Sequence, residues 1–395
     1  MIELTSRERM LRTIRLQETD HIPCCFMSFT IMRKRLNENW FEVAKAELSM
    51  GIDSMLFIPS APRAARKDHP DLRGLPVRFS PEVKTSEWSG KGRAGSETLF
   101  KEYQTPVGKL TSEVRLSEDW PHGNHVPFVD DYQIPRAIKP LVTGPEDLAA
   151  LDYMLISPDP QDIRHFEQEA QTARLFTDEN GILLSGGWGV GMDMANWLCG
   201  VQNLMVLILE KPDFVDELLE KIHVWNKQRI KVVLSGTVDL YIHRAWYEGC
   251  DFVTPRFFRK SILPRLKAEV DLAHERGTLF GYICSSGTKP MLDFYREAGI
   301  DLLIGVDPIQ GTYTDMPFMK AKLGDRVSLW GGVSAAVTVE RGTESEVRAA
   351  VENACKILGP KGFILSPVDN LTVDEPLTFE NIRIFIDEWK KNQRI

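Results

Sequence analysis

The sequence lacks the features that direct a protein into a membrane or onto a nucleic acid. No run reaches the roughly 18 apolar residues of a membrane span, and the opening residues MIELTSRERM hold no apolar signal region. Lys and Arg number 48 against 56 Asp and Glu, so the net charge is −8. Because nucleic acids and anionic membranes attract basic surfaces, we expect neither as a partner.

Paired cysteines are missing as well. The six cysteines are scattered without a CxxC motif, and without a secretory signal they predict a reduced, cytoplasmic protein. The glycine-rich stretch GGWGVG at residues 186–191 lacks the GxGxxG spacing of a dinucleotide site. These absences disfavour a disulfide-stabilised secreted protein and a dinucleotide-binding enzyme.

The chain does contain enough apolar residues for a large core, with 395 residues of which 43% are hydrophobic. Strand-like apolar runs alternate with helical patterns along most of its length. This alternation predicts an α/β fold, a (β/α)8 TIM barrel, with a doubly wound sheet as the alternative. The predicted strands span residues 22–29, 53–59, 182–185, 238–243, 279–284, 302–306, 327–330 and 363–365.

Residues 61–140 interrupt the alternation with frequent Pro, Gly and charged residues. We expect one barrel domain over residues 1–395, with 61–140 inserted after the second strand as a cap-like excursion. A hairpin is predicted there from the runs 100–103 and 110–114. Because the excursion is poor in apolar residues, we expect it to hold no core of its own.

The segment 277–287, GTLFGYICSSG, places a thiol at the end of a predicted strand. In parallel α/β proteins, residues just past the carboxyl end of a strand face the pocket. Cys284 is therefore a candidate catalytic residue. The same rule selects Asp307 as a candidate base, although its place before Pro308 also fits a turn.

A candidate metal site combines imidazole, carboxylate and thiolate groups. His243, Glu248 (also a candidate catalytic residue), Cys284 and Asp369 are residue types that bind zinc, and zinc would act as a Lewis acid on a leaving atom. The alternative is a buried Cys284, a hydrogen-bonded His243 and a turn at Asp369.

The remaining strand ends are rich in aromatic residues, which suits a flat or apolar substrate. Arg244, together with Arg63, is suited to hold a substrate carboxylate, and ion pairing is the alternative for both. The tryptophans have packing as their alternative. The candidate substrate-binding residues are Trp188, Asp193, Arg244, Trp246, Tyr282 and Trp330.

Three stretches carry a family resemblance: TSRERMLRTIRLQETDHIP (5–23), FGYICSSGTKPMLDFYREAGIDLL (280–303), and the segment 323–370 that begins LGDRVSLWGG and ends SPVDN. They resemble the uroporphyrinogen decarboxylase superfamily, and the pattern is closest to its corrinoid-dependent methyltransferase branch. The resemblance implies a (β/α)8 barrel. It also implies either porphyrinogen decarboxylation or methyl transfer involving a corrinoid protein or a thiol.

The departures from the family patterns favour methyl transfer. Where the decarboxylases carry an RQAGRY-like motif this chain has CCFMSFTIMRKRL, and Ser60 stands in place of their catalytic aspartate. The zinc-dependent methyltransferases resemble one another in a His-x-Cys and a later Cys. Tyr282-Ile283-Cys284 keeps only that first thiol, and Asp369 stands at the later position. A zinc site would then recruit His243 or Glu248.

The resemblance therefore implies a methyltransferase that moves a methyl group from a small methylated substrate to a corrinoid protein. Zinc and a corrinoid carried by the partner are the expected cofactors. A decarboxylase or other lyase is the first alternative, and a non-catalytic ligand-binding barrel is the second. The sequence leaves the substrate open, and also the oligomeric state, for which a homodimer is one possibility.

Overall fold

The computed structural model describes residues 3–58, 79–92 and 95–394 of the chain. Its Cα positions fall into two compact units. The first contains residues 1–60, 169–187 and 233–395, and the second contains residues 61–168 and 188–232. The predicted positions Ser60 and Arg63 lie outside the described residues.

The described residues form strands in two sheets. The strands are β1 (Met55–Ile58), β2 (Lys84–Lys91), β3 (Glu97–Thr105), β4 (Gly108–Arg115), β5 (Ala137–Lys139), β6 (Leu183–Val190), β7 (Leu240–Arg244), β8 (Leu279–Ile283), β9 (Leu302–Val306), β10 (Ser328–Ser334) and β11 (Phe363–Val368).

Helices fill most of the intervals between strands. They are α1 (Ser6–Ile14), α2 (Thr30–Arg35), α3 (Trp40–Ser49), α4 (Leu148–Leu151), α5 (Pro160–Asn180), α6 (Met192–Cys199), α7 (Val201–Glu210), α8 (Pro212–Ser235), α9 (Pro255–Phe257), α10 (Leu263–His274), α11 (Leu292–Ala298), α12 (Met316–Leu323), α13 (Glu344–Leu358) and α14 (Pro376–Asn392). Short π-helical segments, Phe258–Ile262 and Ala335–Val339, precede α10 and α13.

The first unit contains a parallel, seven-stranded sheet in the order β1-β6-β7-β8-β9-β10-β11. From β6 onward, each strand pairs with the strand that follows it in the chain. This order is typical of parallel strands that are connected by helical crossovers. All residues of β7, β9, β10 and β11 are buried, which fits a sheet covered on both faces. The predicted α/β fold with a parallel sheet is confirmed.

The predicted first strand, 22–29, appears as isolated parallel bridges. Cys24 pairs with Leu365 of β11, and Cys25 pairs with Asp53 just before β1. The indole N–H of Trp330 donates to the Cys25 carbonyl at 2.9 Å. This segment therefore joins both edge strands of the sheet, while a complete (β/α)8 barrel stays a prediction.

Three aspartates at the amino ends of strands repeat one arrangement. Asp53, Asp239 and Asp301 each accept a backbone N–H from a neighbouring strand segment, at 3.0, 3.0 and 2.7 Å. Each also pairs with a basic side chain on a helix; these are Arg9 for Asp53, Arg7 and Arg174 for Asp239, and His274 for Asp301. The aspartates thus connect the strands to helices α1, α5 and α10.

The second unit contains an antiparallel sheet in the order β2-β3-β4-β5. The predicted hairpin is confirmed, because β3 pairs with β4 from Thr98–Arg115 to Thr105–Gly108. The expectation that this region holds no core was wrong: Leu99, Val114, Trp120 and Val126 are buried against one another. Leu99 and Val114 lie in β3 and β4, whereas Trp120 and Val126 lie in the segment between β4 and β5. Because these residues are dispersed along the chain, the sequence shows no apolar run that would mark the core. One domain with a cap-like excursion stays a prediction.

Within the described residues, no single helix has both the length and the apolar composition needed to cross a membrane. The helices α6 and α7 meet these criteria only as a pair, and they are bent by 106° relative to each other.

Candidate active site

The carboxyl ends of β7 and β8 bring His243 and Tyr282 side by side. The two residues are register partners, and their ring centroids lie 5.6 Å apart with an interplanar angle of 16°. The His243 Nδ1 atom lies 2.8 Å from Oε2 of Glu269, which belongs to α10. The His243 side chain is therefore directed toward that helix.

Glu248, in the loop that follows β7, continues this arrangement. Its Oε1 atom lies 3.8 Å from His243 Nε2, and its Oε2 atom accepts a hydrogen bond from the Tyr282 hydroxyl. No more than 3% of the surface of His243, Glu248 or Glu269 is exposed. The imidazole is thus enclosed between two buried carboxylates.

The charges of this cluster follow from its burial. Burial disfavours the charged imidazole, but Glu269 and then Glu248 outweigh that penalty and raise the pKa of His243 to about 10. Burial, with the adjacent Glu248 carboxylate, raises the pKa of Tyr282 well above its ordinary value. At neutral pH Tyr282 is therefore a neutral hydrogen-bond donor.

Cys284 lies one residue past β8, at the edge of the same cluster. Its buried thiol donates to the carbonyl of Ser286 at 3.4 Å. The Tyr295 hydroxyl of α11 lies against this thiol, and burial together with Cys284 raises the pKa of Tyr295. The structure thus brings together three of the predicted residues, His243, Glu248 and Cys284.

The four predicted zinc ligands are not arranged around one point. His243 Nδ1 is paired with Glu269, while Nε2 is buried without a hydrogen-bond partner among the described residues and lies 3.8 Å from the Glu248 carboxylate. Asp369, the fourth predicted ligand, is exposed after β11 and accepts from Asn370 Nδ2 at 2.9 Å. Across the part of the chain that the structure describes, no three His, Cys, Asp or Glu side chains are arranged to hold a metal ion.

The other predicted residues of the first unit lie in different local environments. Asp307 Oδ1 accepts from the backbone N–H groups of Ile309 and Gln310 at 2.8 and 2.9 Å, which is a turn. Trp330 is 1% exposed and packs in the core. The Arg244 guanidinium lies 5.8 Å from the centroid of the half-buried Trp246 ring. Because side chains alternate along a strand, Arg244 points to the face opposite His243.

Trp188 and Asp193 belong to the second unit. Trp188 has a φ of +67°, a conformation that is rare for a bulky side chain. Such strained residues occur preferentially at functional sites. Asp193 is fully buried in the first turn of α6, where the helix dipole favours a negative charge.

The loops after β7, β8 and β9 are joined by backbone hydrogen bonds that were not foreseen. The Cys250 N–H donates to Gly287 at 2.9 Å, and the Gly287 N–H donates to Thr312 at 2.8 Å. A Cβ atom on Gly249 would overlap the Ser286 carbonyl, and one on Gly287 would overlap the Cys250 nitrogen. Glycine following a strand end was the available signal for this close approach.

A family model for uroporphyrinogen decarboxylase (URO-D) matches residues 116–392, about 70% of the chain. This chain belongs to the uroporphyrinogen decarboxylase family. The predicted resemblance is therefore confirmed, and it places the chain in a family of enzymes. No functionally curated protein is significantly similar to it in sequence.

Two solved structures are similar to this chain to different degrees. A methyltransferase from Methanosarcina mazei matches with a TM-score of 0.59 at 15% identity, over 98% of this chain and 99% of that one. A B12-independent methionine synthase from Shewanella sp. W3-18-1, in complex with selenomethionine, matches with a TM-score of 0.48 at 9% identity, over 94% and 98% of the two chains. At 15% identity, the similarity to the Methanosarcina methyltransferase shows that the two chains share a fold.

Proposed function

We propose that this chain is a corrinoid-dependent methyltransferase, which moves a methyl group from a small methylated substrate to a corrinoid protein. The observation that carries the proposal is the match to the Methanosarcina methyltransferase, which extends over 98% of this chain and 99% of that one, together with the membership of this chain in the URO-D family. The proposal includes a (β/α)8 barrel, which the predicted first strand around Cys24 and Cys25 would close between β11 and β1.

In this reaction the bond between the methyl carbon and a heteroatom of the substrate breaks, a carbon–cobalt bond forms, and the heteroatom takes up a proton. The candidates to supply that proton or to activate the heteroatom are among the residues predicted for this site: His243, Glu248, Cys284 and Asp369. Trp246 and Arg244 offer an aromatic face and a cationic group for the substrate.

The alternatives are a carboxy-lyase, in which Arg244 would bind a substrate carboxylate, and a ligand-binding barrel without catalysis. The family description names a decarboxylase, which favours the first of these. The two reactions differ in one requirement: methyl transfer needs a corrinoid acceptor, whereas decarboxylation does not. The corrinoid partner, a cytoplasmic location and a homodimer stay predictions.

Replacing Cys284 with alanine tests the proposed role of its thiol. We expect Cys284→Ala to abolish methyl transfer to cob(I)alamin, because this thiol is the residue kept from the methyltransferase pattern. Cys355→Ala is the matched control, since that thiol is equally buried in α13 and is not part of the proposed site. Equal activity of the two variants, measured by formation of methylcobalamin, would contradict the role of Cys284.

A further inference from the structure

The turn Ser286-Gly287, which follows β8, is held by the loops after the two neighbouring strands. From the loop after β7, the Asp251 carboxylate accepts a hydrogen bond from the Ser286 hydroxyl. The Cys250 N–H of the same loop donates to the Gly287 carbonyl at 2.9 Å. From the loop after β9, the Thr312 N–H donates to the Ser286 hydroxyl at 3.2 Å, and the Thr312 carbonyl accepts from the Gly287 N–H at 2.8 Å. The Ser286 hydroxyl therefore connects all three loops.

The thiol of Cys284 is attached to this turn. Its S–H donates to the Ser286 carbonyl at 3.4 Å, and the residue is 1% exposed. The same carbonyl packs so closely against Gly249 that a Cβ atom there would overlap it. Because a thiol is a weak hydrogen-bond donor, it contributes little to holding the turn. The turn therefore sets the direction of the thiol, and not the reverse.

Asp251 differs from the other members of this arrangement because it is exposed. An exposed side chain contributes little to the core, so the hydrogen bond from Ser286 is the main contribution that this carboxylate makes. Hydrogen bonds to an ionised acceptor are stronger than those between neutral groups. Asp251 can thus hold the turn without being needed for folding.

We propose that Ser286 and Asp251 are positioning residues, which orient the Cys284 thiol in the candidate active site. Asp251 holds the Ser286 hydroxyl, the hydroxyl fixes the turn, and the carbonyl of the turn directs the thiol. The proposal rests on the proposed function for the catalytic use of Cys284, and on the contacts of the turn for its position.

Alkylation of Cys284 by iodoacetamide, followed in the full chain by peptide mass spectrometry, is the direct test. Asp251→Ala removes the acceptor, and we expect Cys284 to react about tenfold faster because the released turn exposes the thiol more often. Asp251→Asn keeps an acceptor oxygen and should react within about threefold of the native rate. Adding Ser286→Ala to Asp251→Ala should give no further increase, because both changes break one hydrogen bond.

Two controls separate this local effect from general loosening. Cys355 is buried in α13, and its rate in the same sample reports opening of the whole unit. Ser285→Ala removes the adjacent hydroxyl, which takes no part in these hydrogen bonds, and should leave the Cys284 rate unchanged. The proposal is overturned by a native rate in Asp251→Ala, by an equal increase at Cys355, or by an Asp251→Asn rate as high as that of Asp251→Ala.

The methyl-transfer assay tests the catalytic consequence. A misdirected thiol should lower kcat about tenfold in Asp251→Ala while KM stays within about twofold, and Asp251→Asn should restore kcat. Faster alkylation with an unchanged kcat overturns the positioning role in catalysis. If the native protein transfers no methyl group, the proposed function fails, and the alkylation rates alone decide whether Asp251 and Ser286 orient Cys284.

Discussion

Glu47 is a buried carboxylate of the first unit whose ionisation is strongly shifted. Glu47 on α3 is 5% exposed and accepts a hydrogen bond from Ser54 Oγ at 2.6 Å. Burial raises the pKa of Glu47 to about 8, although this hydrogen bond opposes the shift. The folded protein therefore binds the Glu47 proton more tightly than the unfolded chain does.

This difference predicts a pH-dependent stability. Glutamate in an unfolded chain ionises at a pH of about 4.3. The stabilisation of the folded state by protonated Glu47 is therefore complete below that pH, and it is lost as the pH rises to about 8. Relative to Glu47→Gln, the free energy of unfolding of the native protein should fall by up to about 1.4 kcal/mol per pH unit between pH 5 and 8.

Denaturant unfolding at several pH values measures this effect. Glu42→Gln is the control, because Glu42 lies on the same helix with its side chain 48% exposed, and it should leave the pH dependence unchanged. Parallel stability curves for the native protein and Glu47→Gln would show that burial of Glu47 does not shift its ionisation.

The site residues illustrate which single positions a sequence can reveal. Strand ends pointed to His243, Glu248 and Cys284, and the structure brings these three together. The missing partner, Glu269, lies within the buried face of α10, next to Leu266, Val270 and Ala273. A charged residue on the apolar side of an amphipathic helix was the signal for it. The side-chain directions that join it to His243 depend on packing and could not be predicted from the chain alone.

Between elements, the joined loops after β7 and β8 form the most constrained part of the candidate site. Gly249 is packed against the Ser286 backbone without room for a Cβ atom. Because a backbone group cannot move aside cheaply, Gly249→Ala should cost about 2 kcal/mol or more of unfolding free energy.

The control for this prediction is Gly90→Ala. A Cβ atom on Gly90 would lie 3.8 Å from the Phe100 ring, which is ordinary van der Waals contact. We expect that variant to change stability by less than about 0.5 kcal/mol. Comparable losses in the two variants, measured by denaturant unfolding, would mean that the close approach at Gly249 is not the cause.

The strands of the parallel sheet could be located because each contains an apolar run between turn residues. The run 302–306 matches β9 (Leu302–Val306) residue for residue, and 279–284 differs from β8 only at its end. The run 22–29 was longer than the bridges it forms, since an apolar run does not reveal how many of its residues find partners. The core of the second unit was missed because its residues are dispersed over β3, β4 and the segment between β4 and β5, where no apolar run marks them.

For the chain as a whole, family and fold agree with the alternation of helices and strands in the sequence. The family match covers residues 116–392, and the structural match to a methyltransferase covers 98% of the chain. The substrate and the reaction do not follow from the fold. Barrels with the same fold catalyse different reactions because the residues at their strand ends differ.

An anaerobic assay of the purified chain with cob(I)alamin and a panel of methylated substrates tests the proposed methyl transfer most directly. The methyl groups carry an isotopic label, and methylcobalamin is followed by absorbance and mass spectrometry. We predict that at least one substrate yields labelled methylcobalamin and its demethylated product in equal amounts, only when the protein is present. If no substrate yields methylcobalamin, and a carboxylated substrate instead releases carbon dioxide without any corrinoid, the chain is a carboxy-lyase and the account is contradicted.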